Sequence, residues 1–147
     1  MTRSLRAAIL LVASVVLSSC GDEQAPVGRW EGYAETRQWL LAVRLQVDAG
    51  NVIHATALSM EVDGASLPER VELNRRMRQM LPQRWLTATK GKVDFSNNIL
   101  RRSGGVAPLF VYHPSSKSMT FNFYARGKLT EKVKMRPVKK FIPATAL

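Results

Sequence analysis

Cysteine and histidine are almost absent from this sequence, which contains one cysteine, Cys20, and two histidines, His54 and His113. A single cysteine excludes a disulfide within the chain, and with two histidines it leaves no Cys/His zinc site. The sequence also lacks a Gly-x-Ser-x-Gly elbow, a glycine-rich phosphate loop followed by Lys-Ser/Thr, and a His-Glu-x-x-His pair. A lone histidine on a strand, such as His54, is more often a packed residue than a base. These absences predict a protein that is not an enzyme and has no metal or cofactor.

Acidic residues are also scarce. Asp and Glu number 11 against 22 Lys and Arg, which gives a formal net charge of +11. With 46% hydrophobic and 22% charged residues, the composition is typical of a folded chain, and 147 residues allow one domain of ordinary size.

Long hydrophobic runs are missing too. The stretch Ala7–Leu17 is apolar or small apart from Ser14, and as a helix it would rise about 16 Å, roughly half of a bilayer core. It follows the basic residues Arg3 and Arg6. A short apolar stretch behind a basic start is typical of a cleaved signal peptide rather than of a membrane-spanning helix.

The residues that end this stretch carry a more specific motif. Leu17-Ser18-Ser19-Cys20 resembles the lipobox of bacterial lipoproteins, in which an apolar residue and two small residues precede the cysteine. The resemblance implies that residues 1–19 are removed and that Cys20 is the lipid attachment site. In that family an aspartate directly after the cysteine favours retention in the inner membrane. Gly21 stands there in this chain, which favours the outer membrane, with the domain facing the periplasm. The alternative is an ordinary secretory signal whose cysteine is accidental.

The domain organisation follows from this interpretation. We expect a signal peptide over residues 1–19, a lipidated polar tether over 20–26, and a single β-rich domain over 27–147. Removal of the signal peptide takes away Arg3 and Arg6 and no acidic residue, so the mature chain keeps a charge of +9.

Beyond the tether the apolar residues recur mostly with period two, which indicates strands. Trp39–Asp48 alternates most clearly, and Gly50-Asn51 suits a tight hairpin turn. About seven or eight strands at this spacing predict an antiparallel meander that closes or nearly closes. The other candidate strands are Gly28–Ala34, Val52–Met60, Arg84–Thr89, Lys92–Phe95, Leu109–His113, Met119–Ala125 and Leu129–Arg136.

One amphipathic helix is expected to interrupt the strands near residues 67–81. Ser66 and Glu69 have the spacing of a capping box, and Pro82 is expected to end the helix. Its apolar residues are predicted to pack on the sheet or to plug one end of a barrel; the alternative is a flexible lid. Those residues are Leu73, Met77, Met80 and Leu81.

The start of the domain, Gly28-Arg29-Trp30, resembles the Gly-x-Trp motif that opens the first strand of lipocalin-like barrels. The resemblance implies that Trp30 closes one end of the barrel and stacks on a basic residue of a late strand, for which Lys132, Lys134 and Arg136 are candidates. We therefore predict a mainly β fold, a lipocalin-like barrel or curved sheet with one inserted helix. A β-sandwich remains open.

Basic side chains cluster late in the sequence. Lys128, Lys132, Lys134 and Arg136 fall on one face of a single strand. This pattern predicts contact with an anionic partner, either lipid headgroups or an acidic protein. The alternative is a solvated face that protects an edge strand. Nucleic acid is excluded as a partner by the expected compartment. Further basic candidates for the same surface are Lys139, Lys140, Arg75 and Arg76.

Together these observations favour a non-catalytic lipoprotein of the bacterial envelope that binds a hydrophobic ligand, an anionic lipid or an envelope protein. Two alternatives remain open. One is an assembly or pilot lipoprotein of a secretion or surface machine, and the other is a periplasmic inhibitor or immunity-type lipoprotein. An apolar cavity of several hundred Å³ inside the domain would favour the ligand-binding function.

Overall fold

Eight antiparallel strands form a closed barrel in which each strand pairs with the next along the chain and the last pairs with the first. The structure is a computed structural model and describes residues 23–143. One α-helix, α1, lies between the third and fourth strands. The elements are β1 (Gly28–Glu35), β2 (Trp39–Asp48), β3 (Val52–Glu61), α1 (Leu67–Thr87), β4 (Lys90–Ser96), β5 (Ile99–Arg102), β6 (Pro108–His113), β7 (Ser118–Ala125) and β8 (Lys128–Pro137).

The alternating pattern of β2 accounts for the barrel core. Its odd-numbered residues point inward. Residues that lie opposite each other on two paired strands have their side chains on the same face of the sheet. The partners of these odd-numbered residues on β1 and β3 therefore point inward as well. Val43, for example, is opposite Gly32 on β1 and Ala57 on β3. The buried interior consists of Ala25, Trp30, Leu41, Val43, Leu45, Val47, Ile53, Val93, Leu100, Phe110, Met119, Val133 and Met135.

Closure of the barrel depends on a short seam between β1 and β8. The two strands pair at only three positions, from Trp30 opposite Pro137 to Gly32 opposite Met135. A Cβ atom on Gly32 would lie 2.7 Å from the carbonyl oxygen of Lys134. Glycine therefore allows the two backbones to approach closely enough to pair.

Helix α1 packs on the outside of the barrel, across β2 and β3. Met77 and Leu81 are buried against Leu40 and Ala42, the outward residues of β2, so this strand is covered on both faces. This arrangement confirms the prediction that the helix packs on the sheet. At its start, the backbone N–H and the hydroxyl of Ser66 both donate to the Glu69 carboxylate at 2.7 Å.

Two sequence predictions in this region are wrong. Pro82 does not end the helix, which continues to Thr87 and buries Pro82 within it. The ring removes one helical hydrogen bond, and the burial of Leu81 and Pro82 on the barrel offsets that loss. Arg84–Thr89 is accordingly not a strand, whereas Ile99–Arg102, which was not predicted, forms β5.

The segment before β1 packs against one end of the barrel. Ala25 is fully buried in the interior cluster, and its N–H donates to Oδ1 of Asn51 at 2.7 Å. Glu23 accepts hydrogen bonds from Nδ2 of Asn51 and from the N–H of Asn97. Residues 23–25, which belong to the expected tether, therefore contact the domain.

The chain after β8 folds back along the outside of the barrel. The ring of Phe141 lies between the guanidinium of Arg44, 5.0 Å from its centroid, and the ring of Trp85, at a centroid distance of 4.6 Å. Nη2 of Arg44 also donates to the carbonyl of Ile142 at 3.0 Å. This tail therefore joins α1 to the outer face of β2.

Candidate functional site

The barrel wall is incomplete on one side, beside β3. This strand pairs with β2 along all ten residues, but β4 pairs only with its first three, Val52–His54. The next strands on that side, β5 and β6, are only four and six residues long. The last seven residues of β3, Ala55–Glu61, therefore border a lateral opening into the barrel.

Small side chains on β3 leave space behind this opening. The register with β2 points Ala55, Ala57 and Ser59 inward, and Ala57 and Ser59 are nevertheless exposed to solvent. On β4, a Cβ atom built on Gly91 would meet no atom within 4 Å. The resulting cavity has a volume of about 500 Å³. Its apolar lining comes from Val43, Ile53, Ala55, Ala57, Val93, Leu109, Phe110 and Phe121.

The polar groups at the cavity are mainly cationic. Lys90, Lys92 and Arg102 belong to its lining, and no carboxylate does. Nζ of Lys90 forms an ion pair with Oδ2 of Asp48 at 3.0 Å. A hydrogen bond from Gln46, followed by the one from Lys90, lowers the pKa of Asp48. Within residues 23–143, Lys92 and Arg102 form no ion pair. The opening therefore combines an apolar interior with positive charge that is not neutralised by the surrounding protein.

Trp30, the third residue of β1, belongs to the interior cluster of the barrel. It is 4% exposed, and its ring meets that of Tyr112 edge-on at a centroid distance of 6.4 Å. The expected stacking on a late-strand cation does not occur. Trp30 is opposite Pro137, so the neighbouring Arg136 faces outward and is opposite Glu31. Nε1 of Trp30 is buried without a hydrogen-bond partner among the described residues.

Lys132, Lys134 and Arg136 share the outer face of β8. Lys128 does not, because a register shift after Phe123 places it opposite Ala125, on the face to which Phe123 belongs. Lys132 is opposite Asn122 and Lys134 is opposite Thr120 on β7. Lys128, Lys132, Lys134 and Arg136 are all exposed, and none forms an ion pair within residues 23–143. The three outward residues, Lys132, Lys134 and Arg136, are called here the β8 stripe, and they point away from the cavity.

The other basic candidates do not join the β8 stripe. Arg75 and Arg76 both pair with Glu72 on the exposed side of α1, at 2.7 and 2.9 Å. These hydrogen bonds lower the pKa of Glu72 to about 2. Lys139 and Lys140 lie on the tail after β8, where the Lys139 carbonyl accepts from Nη1 of Arg29.

A charged network lies beneath the helix on the outer face of β1 and β2. Nε of Arg44 and Oε2 of Glu31 form an ion pair at 2.9 Å, with side chains only 3% and 13% exposed. The hydroxyl of Tyr33 donates to Oε1 of Glu31 at 2.8 Å, and the guanidinium of Arg78 lies 4.1 Å from the centroid of the Tyr33 ring. Burial, followed by the bond to Glu31, raises the pKa of Tyr33 to about 12. This network links the helix to the sheet.

The lateral opening was not foreseen from the sequence. The signal that could have indicated it is the run of small residues at alternate positions of β3, Ala55, Ala57 and Ser59. The more hydrophobic alternation in the sequence is the other one, which consists of Val52, His54, Thr56, Leu58 and Met60. These residues face outward, where Leu58 and Met60 pack in the cluster under α1. Cys20 and the signal peptide lie outside the described residues.

Comparisons of the chain with protein-family models, with curated proteins and with solved structures found no match. Among the described residues, no helix has the length and apolar character needed to cross a bilayer. In the same part of the chain, no three His, Cys, Asp or Glu side chains are grouped so that they could bind a metal ion.

Proposed function

We propose that the protein is a non-catalytic, lipid-anchored module of the bacterial cell envelope that binds a ligand through the lateral opening of its barrel. The observation that carries this proposal is the cavity of about 500 Å³, which Ile53, Ala55 and Ala57 of β3 line. Binding sites for small ligands and cofactors are concave, mostly apolar and about 300–1,000 Å³ in volume, and this cavity fits that description.

The lining of the cavity supports a ligand that carries apolar groups and a negative charge. Phe110 and Phe121 offer apolar contact area inside, while Lys92 and Arg102 offer donors at the opening. A carboxylate or phosphate at the opening would form charge-assisted hydrogen bonds, each contributing about 1.5–3 kcal/mol. Its apolar part would at the same time exclude water from the cavity lining.

An anionic naphthalene dye whose fluorescence rises in apolar surroundings tests this proposal. Ala57→Trp should fill the opening and abolish the fluorescence increase, whereas Lys134→Trp, on the outer face of β8, should leave it unchanged. Arg102→Gln should weaken dye binding about tenfold, in line with the loss of one charge-assisted bond, and Lys132→Gln is its matched control. If Ala57→Trp binds the dye as well as the original protein does, the cavity is not the binding site.

The anchor is tested separately. Cys20→Ala should abolish labelling with radioactive palmitate and should release the protein from the membrane fraction. A variant that still incorporates palmitate would show that Cys20 is not the lipid attachment site, whatever the cavity binds.

A further inference from the structure

We infer that the ligand of the lateral opening is an extended polypeptide segment, which adds to the free edge of β3 as a further antiparallel strand. The inference rests on the proposed function because it names the class of ligand for that same site. The partner is an envelope protein with a segment that alternates apolar and small residues and carries acidic residues at its C-terminal end.

The hydrogen-bonding pattern of β3 identifies the groups that would bind it. The N–H of Val93 donates to the carbonyl of Asn51 at 2.9 Å, so Asn51 directs its main-chain groups toward β4. In an antiparallel sheet this direction alternates with period two. Ala55, Ala57, Ser59 and Glu61 therefore direct their N–H and C=O groups to the same side, where β4 no longer pairs with β3. The same alternation directs the main-chain groups of the even-numbered residues toward β2. The N–H of Val62, just after β3, accordingly donates to the carbonyl of Gln38, just before β2.

These main-chain groups form an edge ready for pairing. Among residues 23–143, no backbone or side-chain group forms a hydrogen bond with the main chain of these four residues across the opening. Proteins often protect such an edge with charged side chains, proline or a bulge. Here Ala55–Met60 contains none of these, and its inward side chains are the small ones of Ala55, Ala57 and Ser59. The edge is about 20 Å long, enough for a strand of ordinary length.

The chemistry around the edge selects the partner and its direction. The cations Lys92 and Arg102, which form no ion pair among the described residues, line the cavity together with Ala55, so positive charge lies at the Ala55 end. Negative charge predominates at the other end, where Asp63 and Glu131 line one surface depression with a single cation, Arg37. Gln38 lines the same depression and donates to the Glu61 carboxylate. An antiparallel strand would run from the Glu61 end toward the Ala55 end. Its C-terminal part would therefore meet the cations, and alternate side chains would enter the cavity toward Phe110 and Phe121.

A polypeptide uses more of this site than a lipid does. An acyl chain would fill the cavity but would leave the four pairs of main-chain groups of β3 without a partner. A strand fills the cavity with alternate side chains and pairs with those groups at the same time, which is the way that peptide strands add to exposed sheet edges.

A proline substitution separates the two classes of ligand. Ala57→Pro removes a main-chain donor that faces the opening and leaves pairing with β2 intact, because proline is tolerated on edge strands. Ala57→Val is the matched control, since it keeps the N–H and enlarges the side chain in the same direction. A cooperative thermal unfolding transition in both variants is the control that establishes that the barrel is folded.

The probe is a peptide of about seven residues that alternates valine and threonine and ends in two glutamates. It should bind the original protein and Ala57→Val, and Ala57→Pro should weaken its binding about tenfold or more. Hydrogen exchange at the amides of Ala57 and Ser59 should slow when the peptide is added. The peptide of reversed sequence, with the glutamates first, should bind more weakly.

Other outcomes overturn the inference. Equal peptide binding by the proline and valine variants, or unchanged exchange at Ala57 and Ser59, would show that the peptide does not pair with β3. Binding of the anionic dye or of palmitate without binding of the peptide would refute the polypeptide ligand and leave the proposed function intact. Failure of the dye, palmitate and the peptide to bind would refute both.

Discussion

Gly32→Ala tests the explanation given for closure of the barrel. The new Cβ atom would lie 2.7 Å from the carbonyl oxygen of Lys134, 2.9 Å from Cγ of Met135 and 3.1 Å from Cγ1 of Val133. Non-bonded carbon atoms are in favourable contact at about 3.5–4.0 Å, so β1 and β8 have to separate. The closest atom belongs to the backbone and cannot rotate away.

The expected cost lies in the upper part of the range for overpacking, at about 2–3 kcal/mol. For a domain of this size that corresponds to a fall in melting temperature of roughly 6–12 °C. Because only three residue pairs join β1 to β8, the strain cannot be spread along a long ladder. Thermal and urea unfolding of the purified protein measure the effect.

Gly91→Ala is the matched control, since Gly91 also lies on a strand and a Cβ atom there would meet nothing within 4 Å. Alanine lowers the conformational entropy of the unfolded chain. The free energy of unfolding of Gly91→Ala should therefore be unchanged or higher by up to about 1 kcal/mol. Equal stability of the two variants would refute the view that Gly32 permits the close approach of β1 and β8.

Three further predictions concern the outer face of the barrel. Glu31→Gln leaves the buried Arg44 cation without its carboxylate and should cost about 3–5 kcal/mol in urea unfolding, whereas Glu61→Gln, at an exposed position, should cost little. Tyr33 should titrate near pH 12 in phenolate absorbance, and this signal should vanish in Tyr33→Phe. Because folding raises the pKa of Tyr33 from 10.0 to about 12, its protonated hydroxyl stabilises the folded state fully below pH 10, and this contribution is lost as the pH rises toward 12. Reversal of Lys132 and Lys134 to Glu should weaken binding to vesicles containing phosphatidylglycerol at low salt, and unchanged binding would mean that the β8 stripe is only a solvated face.

The fold was largely predictable because its strands carry a local signal. β2 reads Trp39, Leu41, Val43, Leu45, Val47 on one face, and the same residues point into the barrel. The capping box at Ser66 likewise depends on residues three apart. The end of α1 was not predictable from Pro82, because what keeps the helix intact beyond it is burial of the same proline against the barrel, a contact between segments that are distant in sequence.

The candidate site illustrates a different limit of the sequence. Two alternations overlap on β3, and the larger side chains, such as Leu58 and Met60, face outward because α1 covers them. Hydrophobicity alone therefore assigns the buried face to the wrong set of residues, since Ala55, Ala57 and Ser59 are inward but small. The inner face becomes visible only through the register with β2, in which Ala57 is opposite Val43. The packing of the helix and the cavity are thus two consequences of one pattern: the large residues of β3 pack against α1 on the outside, and the small residues leave space inside the barrel.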